Sequence, residues 1–170
     1  TVRHNRTPGR GWRIIDRDGP FGLPIPCQDT DETLSHLTEA RLSDRESFTF
    51  ALRFERTAPL LGGCQAFGRF DFVDGSTPGA TLDILDGDDV FYLNGENEVV
   101  DPETFLPWNP RRYRLTTIDG RRIEFNLDAG GIVRIEDPNG NALNFSQAGI
   151  IHTTGKSISF TRDGSGRITR

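Results

Sequence analysis

Four groups of side chains in this 170-residue chain have types that do chemistry elsewhere. The histidines are His4, His36 and His152. None has a partner at metal-ligand spacing or stands beside a Ser or Cys in a nucleophile context, so three satisfied surface imidazoles are expected. Carboxylates gather at Asp29/Asp31/Glu32 and at Asp86/Asp88/Asp89. Oxygen ligands at alternating positions suit calcium, but the second group lacks the loop glycine and distal Glu of an EF-hand, and a turn with solvated carboxylates accounts for it. Cys27 and Cys64 are too far apart for a CxxC motif and have no His nearby, which argues against zinc. The densest basic group is Arg111, Arg112, Arg114, Arg121 and Arg122, interleaved with Tyr113. A nucleic-acid surface needs such a group on one face with exposed aromatics. Strand alternation predicts the opposite: arginines split between faces, Tyr113 beside Leu115, and cross-strand pairs to Asp119, Glu124 and Glu136. No catalytic constellation, metal site or cofactor site assembles from these groups, so the chain reads as non-enzymatic.

The elements that would position these residues are more informative. Three times a Gly is followed at +3 by an aliphatic residue and at +5 by Phe: Gly120/Ile123/Phe125, Gly140/Leu143/Phe145 and Gly155/Ile158/Phe160. Gly87/Val90/Tyr92 is a fourth instance further upstream. Positions +3 and +5 share one face of a strand, and the Gly supplies the positive φ of a tight turn. Asp-x-x-Gly units stand at Asp128/Gly131 and Asp163/Gly166, where Asp can bond back to the turn backbone. Such units cannot bury their apolar face singly, so they must stack or pair. Nineteen glycines and ten prolines also favour short strands and many turns. The fold class predicted is all-β, an antiparallel repeat-built sheet with at most one short helix.

In chain order, Trp12 anchors an irregular Arg/Gly/Pro-rich start. Residues 30–43 suit either a helix, capped by Asp29 or Thr30 with Leu34 and Leu37 on one face, or a polar loop leading into the next strand. Residues 47–56 alternate as a half-buried strand through Phe48, Phe50, Leu52 and Phe54. Phe67, Phe70 and Phe72 form a second aromatic strand. Pro102, Pro107 and Pro110 mark a connector in which Phe105 and Trp108 fold down as a plug. Residues 1–110 read as an upstream β-rich region, either separate or continuous with the strands of 111–170.

From Tyr113 onward the motifs resemble the YD-repeat, or Rhs-repeat, family. Phe160-Thr161-Arg162-Asp163-Gly164-Ser165-Gly166-Arg167-Ile168 matches the start of a repeat, and Phe125 to Ile132 matches it with Ile132 in place of the usual Arg. Asp137-Pro138-Asn139-Gly140-Asn141 matches the Asp-Pro-x-Gly turn, with Phe145 in the aromatic place, and Gly9-Arg10-Gly11-Trp12 is similar to a Gly-x-Gly-Trp that precedes the repeats. The resemblance implies a segment of a large secreted or cell-surface protein, part of a spiralling β-shell that in many members encloses a C-terminal toxin. Its partners would then be adjacent shell strands of its parent chain and an enclosed toxin domain, with self-association through open sheet edges in a lone piece. It also implies an alternative, an adhesion module whose Trp12, Trp108 or Tyr92 engages a glycan or partner protein. Export would permit a Cys27–Cys64 bridge; two buried free thiols are the other reading. Asp137-Pro138 is similar to the self-cleavage motif of toxin-bearing members, yet inside a repeat it reads as a type I turn. A net charge of −5 and the lack of a long apolar run suggest neither nucleic-acid binding nor membrane insertion. The chain reads as a piece of a larger protein.

Overall fold

The computed structural model describes residues 1–12, 14–18, 24–30, 36–60, 63–93 and 98–170; for strand residues 14–18, 24–30, 56–60, 63–64 and 92–93 it describes the backbone alone. The described chain is all-β and contains no helix. The first six strands are β1 (Val2–His4), β2 (Ile14–Asp18), β3 (Pro24–Thr30), β4 (Leu37–Ser43), β5 (Glu46–Leu60) and β6 (Gly63–Gly75). Next come β7 (Thr81–Ile84), β8 (Asp89–Leu93), β9 (Glu98–Val100), β10 (Arg112–Thr116) and β11 (Arg122–Asn126). The last are β12 (Gly131–Glu136), β13 (Ala142–Ser146), β14 (Gly149–His152) and β15 (Ser157–Ser159).

These strands form a six-stranded sheet in the order β1-β4-β5-β6-β8-β9, a seven-stranded sheet β7-β10-β11-β12-β13-β14-β15, and a β2-β3 ribbon. All pairings are antiparallel. One sheet curls strongly into a half-barrel. The upstream region contributes to both: β7 joins the seven-stranded sheet by pairing Leu82 with Leu115 and Ile84 with Tyr113.

The alternation in β5 works as its spacing predicts. Phe48, Phe50 and Leu52 are buried, and Phe70 of β6 faces Leu52 across the ladder. Their side chains join one core with Leu82, Tyr113, Leu115, Ile123 and Phe125 of the second sheet. Burial of so many aromatic and branched side chains, each worth about 1.5–3 kcal/mol, holds the two sheets together.

Residues 30–43 do not form the expected helix. Thr30 ends β3, and Leu37–Ser43 is β4, paired with β1 on one side and β5 on the other; residues 31–35 lie outside the described part. The period there is two: Thr38 and Ala40 are buried, and Leu42 packs on the core. The helical reading rested on a thin stripe of two leucines, whereas two flanking ladders offer β4 hydrogen bonds on both edges.

Candidate functional site

The recurring glycines set one hairpin turn. Gly120 N–H donates to Thr117 O, Gly140 to Asp137 O, Gly155 to His152 O and Gly166 to Asp163 O, at 2.9–3.1 Å. In each, the first turn residue also donates its N–H to the carbonyl four residues on: Thr117 to Arg121, Asp137 to Asn141, His152 to Lys156, Asp163 to Arg167. All four glycines have φ between 78° and 88°, where a side chain is strained. The glycine that opens each Gly/+3/+5 unit is thus the last residue of an x-x-x-Gly turn, and +3 and +5 then face inward on the next strand. Gly87 (φ 65°) likewise precedes buried Val90; the Tyr92 side chain lies outside the described part.

The first turn residue secures the turn with its side chain. Asp137 Oδ1 accepts from Asn139 N and Asn141 N, and Oδ2 accepts from Asn141 Nδ2, all at 2.9 Å. The Asn141 amide foremost holds this carboxyl below its usual range, so Asp137 is an occupied acceptor in a turn started by Pro138. Asp163 is held low in the same way, by the Arg167 N–H and guanidinium. Asp128/Gly131 is a different frame from the one expected. The turn there is Leu127–Gly130, closed by Gly130 N to Leu127 O, with Asn126 Oδ1 accepting from Asp128 N and Ala129 N. Gly131 begins β12, and Asp128 pairs with Arg111 at 2.9 Å.

The inward residues run in register across the seven-stranded sheet. Leu82, Leu115, Ile123, Ile135, Leu143 and His152 face one another in one row. Beside it Phe125 faces Ile132, and Phe145, Ile150 and Ile158 face one another in a second row on the last strands. Coverage falls along this face. Ile123 is 1% exposed and Phe125 fully buried, Ile132 and Ile135 are partly covered, Leu143 is 38% exposed and Ile158 62%. Phe145 and Phe160 are half-buried. The expectation that every +3/+5 pair is buried therefore holds at Ile123/Phe125 and fails at Ile158, because the six-stranded sheet covers only the β7–β12 end.

The outward face carries a charge ladder. Asp83, Arg114, Glu124, Arg134 and Asn144 stand opposite one another on successive strands. Arg114 pairs with Glu124 at 2.8 Å, Arg122 and Arg134 both meet Glu136 at 2.5 Å, and Arg121 bridges Asp119 and, on the other sheet, Glu46. The cross-strand pairs to Glu124 and Glu136 form, whereas Asp119 meets Arg121 within its own turn; Arg112, Arg114 and Arg122 share the outward face, since Thr116 stands opposite Arg122, and Arg121 reaches the other sheet.

Two of the histidines are interior groups, against the expectation of surface imidazoles. His36 is buried, stacks on Trp12 at 3.9 Å, and bonds Arg10 O through Nε2. His4 sits between the sheets. Tyr113 donates its hydroxyl to Pro110 O, so His4 Nε2–H donates to the Tyr113 oxygen at 3.1 Å and Nδ1 accepts from Thr38 Oγ1 at 2.8 Å. Burial, then the Arg111 charge, lowers the His4 pKa to about 4, and burial pushes the Tyr113 phenol upward. His152 bonds its own turn through Thr154. Nothing in the sequence around Val2–His4 marks this interlock, which depends on a partner 109 residues away.

Trp12 and Trp108 are both 2% exposed, joined edge-on through Phe54. Each indole N–H is satisfied, by Pro8 O and Gly87 O. Trp108 plugs the core as expected; Phe105 does not, standing 64% exposed at φ 55°. Below that connector lies a cleft of about 430 Å³ lined by Asp86, Asp88, Asp89, Asp101, Glu103 and Trp108. Asp86 accepts from Arg111 N and Arg112 N, and Asp101 from Glu103 N and Thr104, so these carboxylates fasten backbone. No group of three or more potential metal ligands occurs among the described residues. The Cys27 and Cys64 side chains and the Asp29/Asp31/Glu32 carboxylates lie outside that part. No known protein family, curated protein or solved structure matches the chain.

Proposed function

We propose that the chain is wall material: a non-enzymatic structural segment of a secreted or cell-surface YD-repeat protein, forming part of a β-shell. The observation that supports this best is the inward apolar face, which keeps its register from Leu82 to Ile158 beyond the region the facing sheet covers. After β15 the pattern repeats through a further Asp163–Gly166 turn, closed by Arg162–Ile168 pairing. In a shell, the next strands would cover β15, and the outward ladder of ion pairs would face solvent. An enclosed toxin is the cargo that the resemblance suggests for such a wall.

Hydrogen exchange tests the reading. Amides of β13–β15 should exchange fast in the chain alone and at least about tenfold slower in a longer product carrying further repeats. Equal exchange in both would contradict a wall that continues past β15.

The second reading, an adhesion or binding module, cannot use Trp12 or Trp108, which are buried with their N–H groups bonded. Exposed Phe105 and Leu106 are what favour it.

A further inference from the structure

Phe105 and Leu106 form a rigid apolar knuckle. Both are 64% exposed. Phe105 is the one described non-glycine residue with positive φ, at 55°. Asp101 holds it there: Oδ1 accepts from Glu103 N, Thr104 N and Thr104 Oγ1 at 2.8–3.0 Å, Phe105 N donates to Asp101 O, and Asp101 N donates to Leu106 O. A bulky residue kept in the left-handed region, with its ring in water, is strain retained without any gain from burial.

The knuckle sits beside carboxylates. Asp101 and Glu103 precede it in the chain, and together with Asp86, Asp88 and Asp89 they line the cleft beneath the connector. In the last strands the balance reverses. Residues 149–170 carry Lys156, Arg162, Arg167 and Arg170 against Asp163 alone. This basic end holds the uncovered part of the inward face, with Leu143 38% and Ile158 62% exposed, and Arg162 over the Phe160 ring at 5.8 Å. Arg162 donates to two carbonyls, Gln147 O at 2.9 Å and Gly166 O at 2.7 Å.

We infer that the occupant of this face is a second copy of the chain, bound head to tail: the acid-collared Phe105/Leu106 knuckle of one copy seats on the basic-rimmed Leu143/Ile158 face of the next. Apolar contact supplies the attraction, and the opposite charges choose the partner and set its orientation. A membrane surface is a poorer fit for the knuckle, because anionic headgroups repel its collar. The contact uses two different patches, so each copy keeps one free knuckle and one free face, and association runs on into short chains. Such a contact is small beside the roughly 1,200–2,000 Å² of stable interfaces, so it is weak and concentration-dependent. The inference concerns the chain alone and does not rest on the wall reading, in which further strands of a longer parent would take the same face.

Sedimentation velocity over a concentration series tests it. The wild-type chain should associate at about 20 mM salt and dissociate at about 300 mM, where the Debye length falls below the reach of the paired patches. A knuckle variant (Phe105→Ser with Leu106→Ser) and a face variant (Leu143→Ser with Ile158→Ser) should each bind themselves at least about tenfold more weakly. Mixed, the two should form a 1:1 heterodimer, since the face of the first is intact and so is the knuckle of the second. Glu103→Arg, at an exposed site, should weaken wild-type association without touching an apolar contact. Wild type that stays monomeric throughout would overturn the proposal. Association that survives the knuckle variant would also overturn it, pointing instead to pairing between β15 edges; binding of the wild type to anionic vesicles would do the same for the choice of occupant.

Discussion

The Trp108 ring lies against the backbone of Gly68: a methyl placed on Gly68 would stand 2.5 Å from Trp108 Cη2. Gly9 packs on the Trp108 backbone, where a methyl would fall 2.4 Å from Trp108 N. Gly68 of β6 thus leaves room for the indole that plugs the core, and Gly9 lets the irregular start lie against the Trp108 backbone.

Gly68→Ala should therefore destabilise the chain by about 1–3 kcal/mol, the usual cost of overpacking a filled core. Gly164→Ala is the control: no neighbour lies within 4 Å of its added methyl and its φ is not positive. Thermal melts should show a lower Tm for the first and little change for the second.

The His4 interlock makes stability depend on pH with a definite sign. Its pKa is about 4 folded and about 6.5 unfolded, so between these values the unfolded state binds the extra proton. Stability is complete above about pH 6.5 and falls as pH drops toward 4, by up to about 3 kcal/mol. His4→Gln should flatten this slope in denaturant titrations at several pH values. Below that window a second loss follows as Glu136, held low chiefly by Arg134, and Asp137 and Asp163, held low by their turns, take up protons.

Gly155 holds its turn at φ 88° with open space around it. Gly155→Val should destabilise through backbone strain alone, by about 1–2 kcal/mol, while Lys156→Ala next to it should change little. Equal tolerance in chemical denaturation would remove the turn from the account.

Gly149 plays a different part. A methyl there would lie 2.0 Å from Ile158 O, inside the β14–β15 ladder. Gly149→Ala should detach β15 while the buried core holds, seen as lost amide protection confined to β14 and β15.

Much of this was legible in the sequence, for local reasons. The strand at Phe48 to Phe54 and the +3/+5 spacing after Gly120, Gly140 and Gly155 depend on a two-residue period and a turn, both set within a few positions. The residues at 37–43 misled because Leu34 and Leu37 mimic a helical face, and the ladders to β1 and β5 that decide the matter are non-local. The partial exposure of Leu143 and Ile158 was hidden for a similar reason: spacing tells which face a side chain takes, and only the extent of the opposite sheet tells whether that face is covered. The Asp128 frame slipped by one because Asn126, unremarked in the sequence, supplies the turn's side-chain acceptor.

The most direct test of the wall reading compares serine substitutions at Ile123 and Ile158 in two contexts. In the chain alone, Ile123→Ser should cost about 2–5 kcal/mol, as core truncations do, and Ile158→Ser under about 0.5 kcal/mol. In a longer product with further repeats after β15, the account predicts that Ile158→Ser becomes costly, approaching the value at Ile123. An Ile158→Ser that stays neutral there, with Ile158 still in water, would contradict it.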